Sequence, residues 1–443
     1  MTISLAEATV LERLRAAVPE NVRVVCETLA KAGFQSVTVG GAVRDAVLGI
    51  TPGDWDVATA AVPEEVMKLF KRVIATGVQH GTVTIVTGRG IESHVEVTAF
   101  RGEGAYTDAR RPDHVRFGVP LVEDLARRDL RVNAMAYDPA KHELIDPYAG
   151  MADLEAKLLR AVGPTGNPYE DAVGRFTEDG LRVMRAVRFA SQLEFALDPE
   201  TERGITPALP SLAKVSRERV SVELRKILGS RRPSLALRPA WRSGIIESIL
   251  PELVAGFAAW DEVSGGRDDL VEAWLSSIDA APPEARLGTL LAELAPPSET
   301  SKTFDRASVR RAEAVLKKLK FSNEEAVTAS VVVGAAPATV VAGWTEPEAR
   351  RLLAEITRPH AAAAVGMWRS NQAMELHDLG AAILARGDAL ATADLAITGN
   401  DLMTELGMPA GPQLGKILRA LLDRVLDDPA LNTREQLLAL ART

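Results

Sequence analysis

The chain has a single cysteine, Cys26, in 443 residues. That excludes an internal disulfide and a zinc ribbon, and it suits a reducing cytoplasm. The N-terminus lacks a basic region followed by an apolar core, so no signal peptide is expected. A membrane span is also missing: the most apolar long stretch, Ser330 to Trp344, is short, rich in Ala and Gly, and broken by Pro337. There is no clear internal repeat and no low-complexity tail. Overall positive charge is lacking too. The net charge is −8, which argues against a protein coated in nucleic acid. What is present is apolar content of 47%, ample for buried cores. The length calls for roughly two to four folding units.

Within this acidic chain, arginines gather locally. Arg110, Arg111, Arg116, Arg127, Arg128 and Arg131 form one cluster, and Arg175, Arg182, Arg185 and Arg188 a second. Arg217, Arg219, Arg225, Lys226, Arg231 and Arg232 form a third, which fits a solvated helix face equally well. Local basic stripes in an acidic chain imply a confined polyanion site.

The first 150 or so residues mix strands and helices. Val22 to Lys31 reads as a helix, Ser36 to Val39 and Asp54 to Ala58 as strands, and Pro63 to Phe70 as a helix with Pro near its start. Gly81 to Thr87 and His94 to Phe100 are β-branched and strand-like. Beyond Asp153 the pattern is helical almost throughout, with Pro and Gly joints near 163–168, 232–239, 281–283 and 296–298. The fold class is an α+β head followed by an elongated all-α region.

The head contains one segment dense in chemistry. Val37-Thr38-Val39 runs into Gly40-Gly41, a helix begins near Ala42, and Asp54-Trp55-Asp56 follows. Glycines let backbone approach a ligand closely, and the helix start favours an anion such as a triphosphate. Arg44 in the first turn can fork onto the same phosphates. On a strand, Asp54 and Asp56 point one way and Trp55 the other. Two adjacent carboxylates repel unless a cation sits between them, and Mg²⁺ held by carboxylates and substrate phosphates is the expected ion. Glu96, flanked by valines, faces either solvent or that metal.

Further runs stand out. The stretch from Arg101 to Phe117 is polar, glycine-containing and long for a connection. Arg127-Arg128-Asp129 precedes Asn133-Ala134, with Asp129 and Asn133 spaced to share a helix face. Arg175-Phe176-Thr177-Glu178-Asp179-Gly180-Leu181-Arg182 reads as one helix continuing to Phe189, with Asp179 and Arg182 adjacent on its surface. Ser216 is a candidate N-cap for a helix running to Leu228.

From Val37 to Leu228 these motifs resemble class II tRNA nucleotidyltransferases (CCA-adding enzymes) and bacterial poly(A) polymerases. Both belong to the DNA polymerase beta-like superfamily. The resemblance implies a nucleotidyltransferase head at 1–152, a base-selecting helical neck at 153–232, an RNA-binding body at 233–370 and a tRNA-binding tail at 371–443. It implies catalysis by Asp54 and Asp56 with Mg²⁺, and nucleotide contacts from Gly41, Arg44, Arg128, Asp179, Arg182, Arg185 and Arg188. The implied partners are CTP, ATP and the tRNA acceptor arm, in the cytoplasm. The Arg101–Phe117 stretch matches a loop implicated in switching from C to A addition.

A poly(A) polymerase shares the head, but His80-Gly81-Thr82-Val83-Thr84 looks CCA-type and no basic C-terminal tail follows. CC-adding and A-adding specialists remain open, as does oligomeric state. A non-catalytic RNA-binding protein would have lost a carboxylate, and both are present. In the tail, Asp394 to Leu402 and Gly411 to Lys416 look like turns and helix starts able to grip phosphates. His377-Asp378 has no companion residues for a metal-phosphohydrolase site.

Overall fold

The structure is a computed structural model that describes residues 7–90, 93–103, 115–264, 267–295 and 302–442. The chain divides into two compact units, Met1–Ile249 and Leu250–Thr443.

Before helix Gly150–Ala156 the strands are β1 (Ser36–Val39), β2 (Asp56–Thr59), β3 (Val73–Gly77), β4 (Thr82–Val86), β5 (His94–Ala99), β6 (Arg101–Glu103), β7 (Val115–Phe117), β8 (Ala136–Asp138) and β9 (Glu143–Ile145). Seven of them form one sheet in the order β3-β4-β5-β2-β1-β8-β9, while β6 and β7 pair separately. Val, Ile and Thr dominate the central strands because branched side chains pack on a pleated, covered surface. All four residues of β1 are buried. β5 alternates, with Val95, Val97 and Ala99 turned inward.

The pairing between β2 and β5 is parallel, Val57 opposite Val97, and the other pairs within the sheet are antiparallel. One step back along that register sets Asp56 level with Glu96. Helix Glu20–Lys31 buries Val22, Val25, Cys26 and Leu29. Helix Pro63–Leu69 starts with the proline expected near its start.

β6 and β7 join the two ends of the long Arg101–Phe117 stretch, Arg101 opposite Phe117. Its middle, 104–114, including Arg110 and Arg111, lies outside the described residues. After helix Gly150–Ala156 the first unit is mainly helical. The run from Arg175 to Phe189 is not one helix. Helix Pro168–Glu178 ends, Asp179 turns to an extended backbone, and helix Leu181–Leu193 begins. A Cβ on Gly180 would collide with the backbone at Ser211, so the bend is held by close packing. Helix Arg217–Leu228 starts after Ser216 as expected, although the serine hydroxyl makes no capping bond. Both this helix and Ser234–Arg242 pack on Leu181–Leu193.

The described residues of the second unit hold only helices and connections. Trp368 is fully buried in one core, and Leu402, Val425 and Leu437 build another near the C-terminus. Among the described residues no helix is long and apolar enough to cross a membrane.

Candidate active site

The first unit holds a cleft of about 1020 Å³ between the sheet and helix Leu181–Leu193. Its floor includes Asp56 and Ala58 of β2, Glu96 and Thr98 of β5, and Thr82 of β4. Asp54 precedes the strand rather than opening it, because β2 begins at Asp56. The expected alternation still holds: Asp54 and Asp56 are exposed, and Trp55 between them is 9% exposed.

Although its side chain reaches the solvent of the cleft, the surrounding walls strip part of the water from the Asp56 carboxyl and push it above its usual range, and the negative charges of Glu96 and Asp54 push the same way. Arg128 opposes them and does not prevail. Among the described residues no three His, Cys, Asp or Glu side chains converge closely enough to hold a metal unaided. The donors present are carboxylate oxygens under mutual repulsion. That fits a hard divalent cation that draws its remaining ligands from phosphate and water.

On the β1 side, Gly40 has φ +77 and ψ −137, a mirror-image backbone that costs other residues about 1–3 kcal/mol. A Cβ there would also lie 2.7 Å from Arg128 Nη1. Gly41, the glycine singled out from sequence, faces only ordinary contact with Arg44 at 3.5 Å. Both line the cleft, and Gly40 carries the tighter constraint.

Arg44 is buried, donating to Asp45 at 2.8 Å and to Asn133 Oδ1 at 2.5 Å, with its guanidinium 5.1 Å from the Phe189 ring centre. Arg128 sits in a turn, not a helix, and ion-pairs with Asp124 at 3.5 Å. Burial pulls its guanidinium pKa down despite Asp124, and its Nε has no hydrogen-bond partner. A cation short of partners beside a glycine turn is suited to phosphate oxygens.

Asp129 and Asn133 do meet, Asn133 Nδ2 donating to Asp129 at 3.0 Å, although a turn and a short 3₁₀ segment connect them instead of an α-helix. Asp129 also receives Arg185 Nε at 2.7 Å and the Leu130 N–H at 2.9 Å. Burial works against its charge, but Arg185 and these donors outweigh it and hold the carboxyl well below the usual range. Arg185 is raised in turn by Asp129.

Asp179, Arg182 and Arg185 all line the cleft. The partners of Asp179 are the Leu181 N–H at 3.0 Å and Arg219 Nη2 at 3.4 Å. Arg182 Nη1 donates to Glu178 at 2.7 Å and to the Arg175 carbonyl at 3.1 Å. Arg188 stands apart from the cleft lining. It is buried, donates to Glu223 at 2.5 Å and to Gln192, and lies 4.1 Å from the Phe189 ring centre. Burial lowers its pKa more than Glu223 raises it. It braces helix Leu181–Leu193 against helix Arg217–Leu228. Sequence reasoning also missed Arg219, Phe189 and Asp124. Arg219 lay in a cluster that fitted a solvated face, and neither of the other two carried a signal.

The profile of the Poly A polymerase head domain matches residues 37–160. That of the "Probable RNA and SrmB- binding site of polymerase A" matches 194–256, and tRNA nucleotidyltransferase domain 2 matches 303–441. A CCA-adding enzyme of Lactiplantibacillus plantarum is 36% identical over 436 residues, covering 94% of each chain. A Bacillus velezensis CCA-adding enzyme is also 36% identical, over 90% of this chain and 91% of its own. The Bacillus stearothermophilus CCA-adding enzyme, solved in complex with CTP, superposes with a TM-score of 0.66 at 29% identity over 96% of each chain. With these three profile matches and a relative 36% identical over 94% of each chain, the chain belongs to the family of CCA-adding enzymes.

Proposed function

We propose that this chain builds or repairs the 3′-terminal CCA of tRNA from CTP and ATP, without a template and with release of pyrophosphate. The carrying observation is that Asp179 and Arg182 line the same cleft as Asp56. Cytosine and adenine present an amino donor beside a ring-nitrogen acceptor. Uracil and guanine present a carbonyl acceptor beside a ring N–H. A carboxylate only accepts and a guanidinium only donates, so the pair fits C and A and mismatches U and G. Each buried mismatch costs about 1–3 kcal/mol. Asp179 is held by the Leu181 N–H and Arg219, while Arg182 is oriented by Glu178 and the Arg175 carbonyl. The CTP complex of the relative from Bacillus stearothermophilus supports this reading.

Gly40, Gly41, Arg44 and Arg128 hold the triphosphate. The acceptor 3′-oxygen bonds to the α-phosphorus, the bond to the β-phosphate oxygen breaks, and the hydroxyl proton passes to water. Asp54 and Asp56 would hold Mg²⁺, which supplies activation of the hydroxyl and steadies the leaving pyrophosphate. Glu96, level with Asp56, shapes the field at that position. The head spans 1–152, the neck 153–232, the body 233–370 and the tail 371–443, the last two reading RNA by shape and phosphate contacts. The cytoplasm supplies tRNA, CTP and ATP together.

The test is incubation of purified protein with Mg²⁺, each NTP, and tRNA ending before CCA, after C, or after CC. Growth to CCA and then arrest supports the proposal. A long A tract, arrest at CC, or addition of A alone would replace it with a poly(A) polymerase or a specialist. In the same assay Asp179→Ala should relax the preference for C and A over U and G roughly tenfold or more while transfer survives. Unchanged selectivity would remove this account of base choice.

A further inference from the structure

The cleft has two unlike sides. In the sheet order β4-β5-β2-β1-β8 the carboxylates of Glu96 and Asp56 lie in the middle, on β5 and β2. Toward β1 and β8 come the Gly40 turn and the arginines at 44, 128 and 185. Toward β4 the lining changes to Gln79, His80, Thr82, Thr98, Phe117 and a single arginine, Arg101. In phosphoryl transfer the attacking and leaving oxygens are roughly in line on opposite sides of the phosphorus. With the triphosphate on the arginine side, the attacking hydroxyl must arrive from the threonine side.

That side is built to receive a nucleotide. Phe117, at the end of β7, exposes 36% of its surface beside the cleft. Its ring is seated on Gly81, where φ is +79 and where any Cβ would strike the ring. The Gly81 carbonyl accepts from the Ala99 N–H at 2.9 Å, which fixes this seat to β5. Arg101 Nη1 donates to the His80 carbonyl at 3.2 Å and steadies the turn before β4. The Thr82 and Thr98 hydroxyls lie 3.0 Å apart across β4 and β5, two register positions from Glu96. Each hydroxyl can accept as well as donate, so the pair keeps capacity for another hydroxyl.

We propose that Phe117, Thr82 and Thr98 form the acceptor-end subsite. The Phe117 ring stacks under the last base of the RNA being extended, and the threonine pair meets its terminal ribose. Stacking on an aromatic ring tolerates any base, which suits an acceptor end whose identity changes with each addition. A threonine pair on the ribose lets the site distinguish RNA from DNA through the 2′-hydroxyl. The inference rests on the nucleotidyl-transfer reading above.

The experiment is steady-state extension of an acceptor-stem minihelix by wild type, Phe117→Ala, Phe117→Trp and Thr98→Val. Phe117→Ala should lower kcat/KM for the minihelix about tenfold, leave the KM for CTP within about twofold, and be rescued by Phe117→Trp. Thr98→Val should penalise a minihelix ending in a ribonucleotide more than one ending in a 2′-deoxynucleotide. A change in the KM for CTP as large as that for the minihelix would place the ring at the incoming nucleotide and overturn the subsite. So would a Phe117→Ala variant with wild-type kinetics, or equal losses on the two minihelices in Thr98→Val. A wild type that extends no RNA would instead overturn the transfer reading and this inference with it.

Discussion

Nucleotide addition should fall by at least about 10³-fold in Asp56→Ala, with the KM for CTP changed far less. Asp56 opens β2 on the cleft floor, level with Glu96, and its carboxylate is the cleft-lining member of the Asp54–Asp56 pair. A cation held there offsets charge that grows during transfer, an effect of several kcal/mol, and each 1.36 kcal/mol is about tenfold in rate.

A second readout separates this role from a structural one. The folded Asp56 carboxyl titrates above its usual range, through partial desolvation by the cleft walls first and then Glu96 and Asp54. Ionisation therefore opposes the metal-free fold. The associated stability is fully present below the unfolded pKa and is lost as pH rises through the folded one. Asp56→Asn should thus melt higher than wild type in EDTA at pH 7, with the difference vanishing in acid. Mg²⁺ should raise the melting temperature of wild type more than that of the variant. Addition surviving within tenfold, or a variant melting lower than wild type in EDTA at pH 7, would dismiss Asp56 as the metal-facing carboxylate.

The local parts of this site were legible in the sequence because they follow short periods. Asp54, Trp55 and Asp56 alternate as side chains must on extended backbone, even though the strand begins two residues late. The Gly-Gly turn announced a helix start. What sequence could not supply was lateral order. Glu96 read equally as a solvent-facing or metal-facing residue until the parallel pairing of Val57 with Val97 set it beside Asp56. The break at Asp179–Gly180 was hidden for the same reason. Helical spacing continues straight through it, and only the approach of Ser211, thirty residues on, explains why the chain bends. Arg185 and Arg188 looked equivalent at i, i+3. One turns toward Asp129 and the cleft, the other toward Glu223 and the interior. Long-range partners decide such cases, and a single sequence does not display them.

Asp129→Ala should cost about 2–3 kcal/mol of stability and raise the KM for nucleotide roughly tenfold. Asp129 is 5% exposed and stands at the centre of a chain of contacts. Asp45 holds Arg44, Arg44 donates to Asn133, Asn133 donates to Asp129, and Asp129 receives Arg185. Phe189 closes the chain, its ring lying 5.1 Å from Arg44 and 5.5 Å from Arg185. Arg44, just after the Gly40 turn, and helix Leu181–Leu193, which carries Arg185, are thereby set by one carboxylate. Breaking a buried pair by removing one partner costs about 3–5 kcal/mol. The Arg185 side chain is 37% exposed, so water takes up part of the stranded charge and the lower figure follows. The folded Asp129 carboxyl lies below its usual range, so its contribution is present above the unfolded value near 4 and is lost as pH falls below it. The stability gap between wild type and variant should therefore be full at pH 7 and narrow steadily below about pH 4. Arg185→Met in the Asp129→Ala background should cost less than it does alone, because the charge it removes has already lost its partner. Additive losses, or a gap that ignores pH, would reduce the carboxylate to a packing residue and leave head and neck aligned by some other contact.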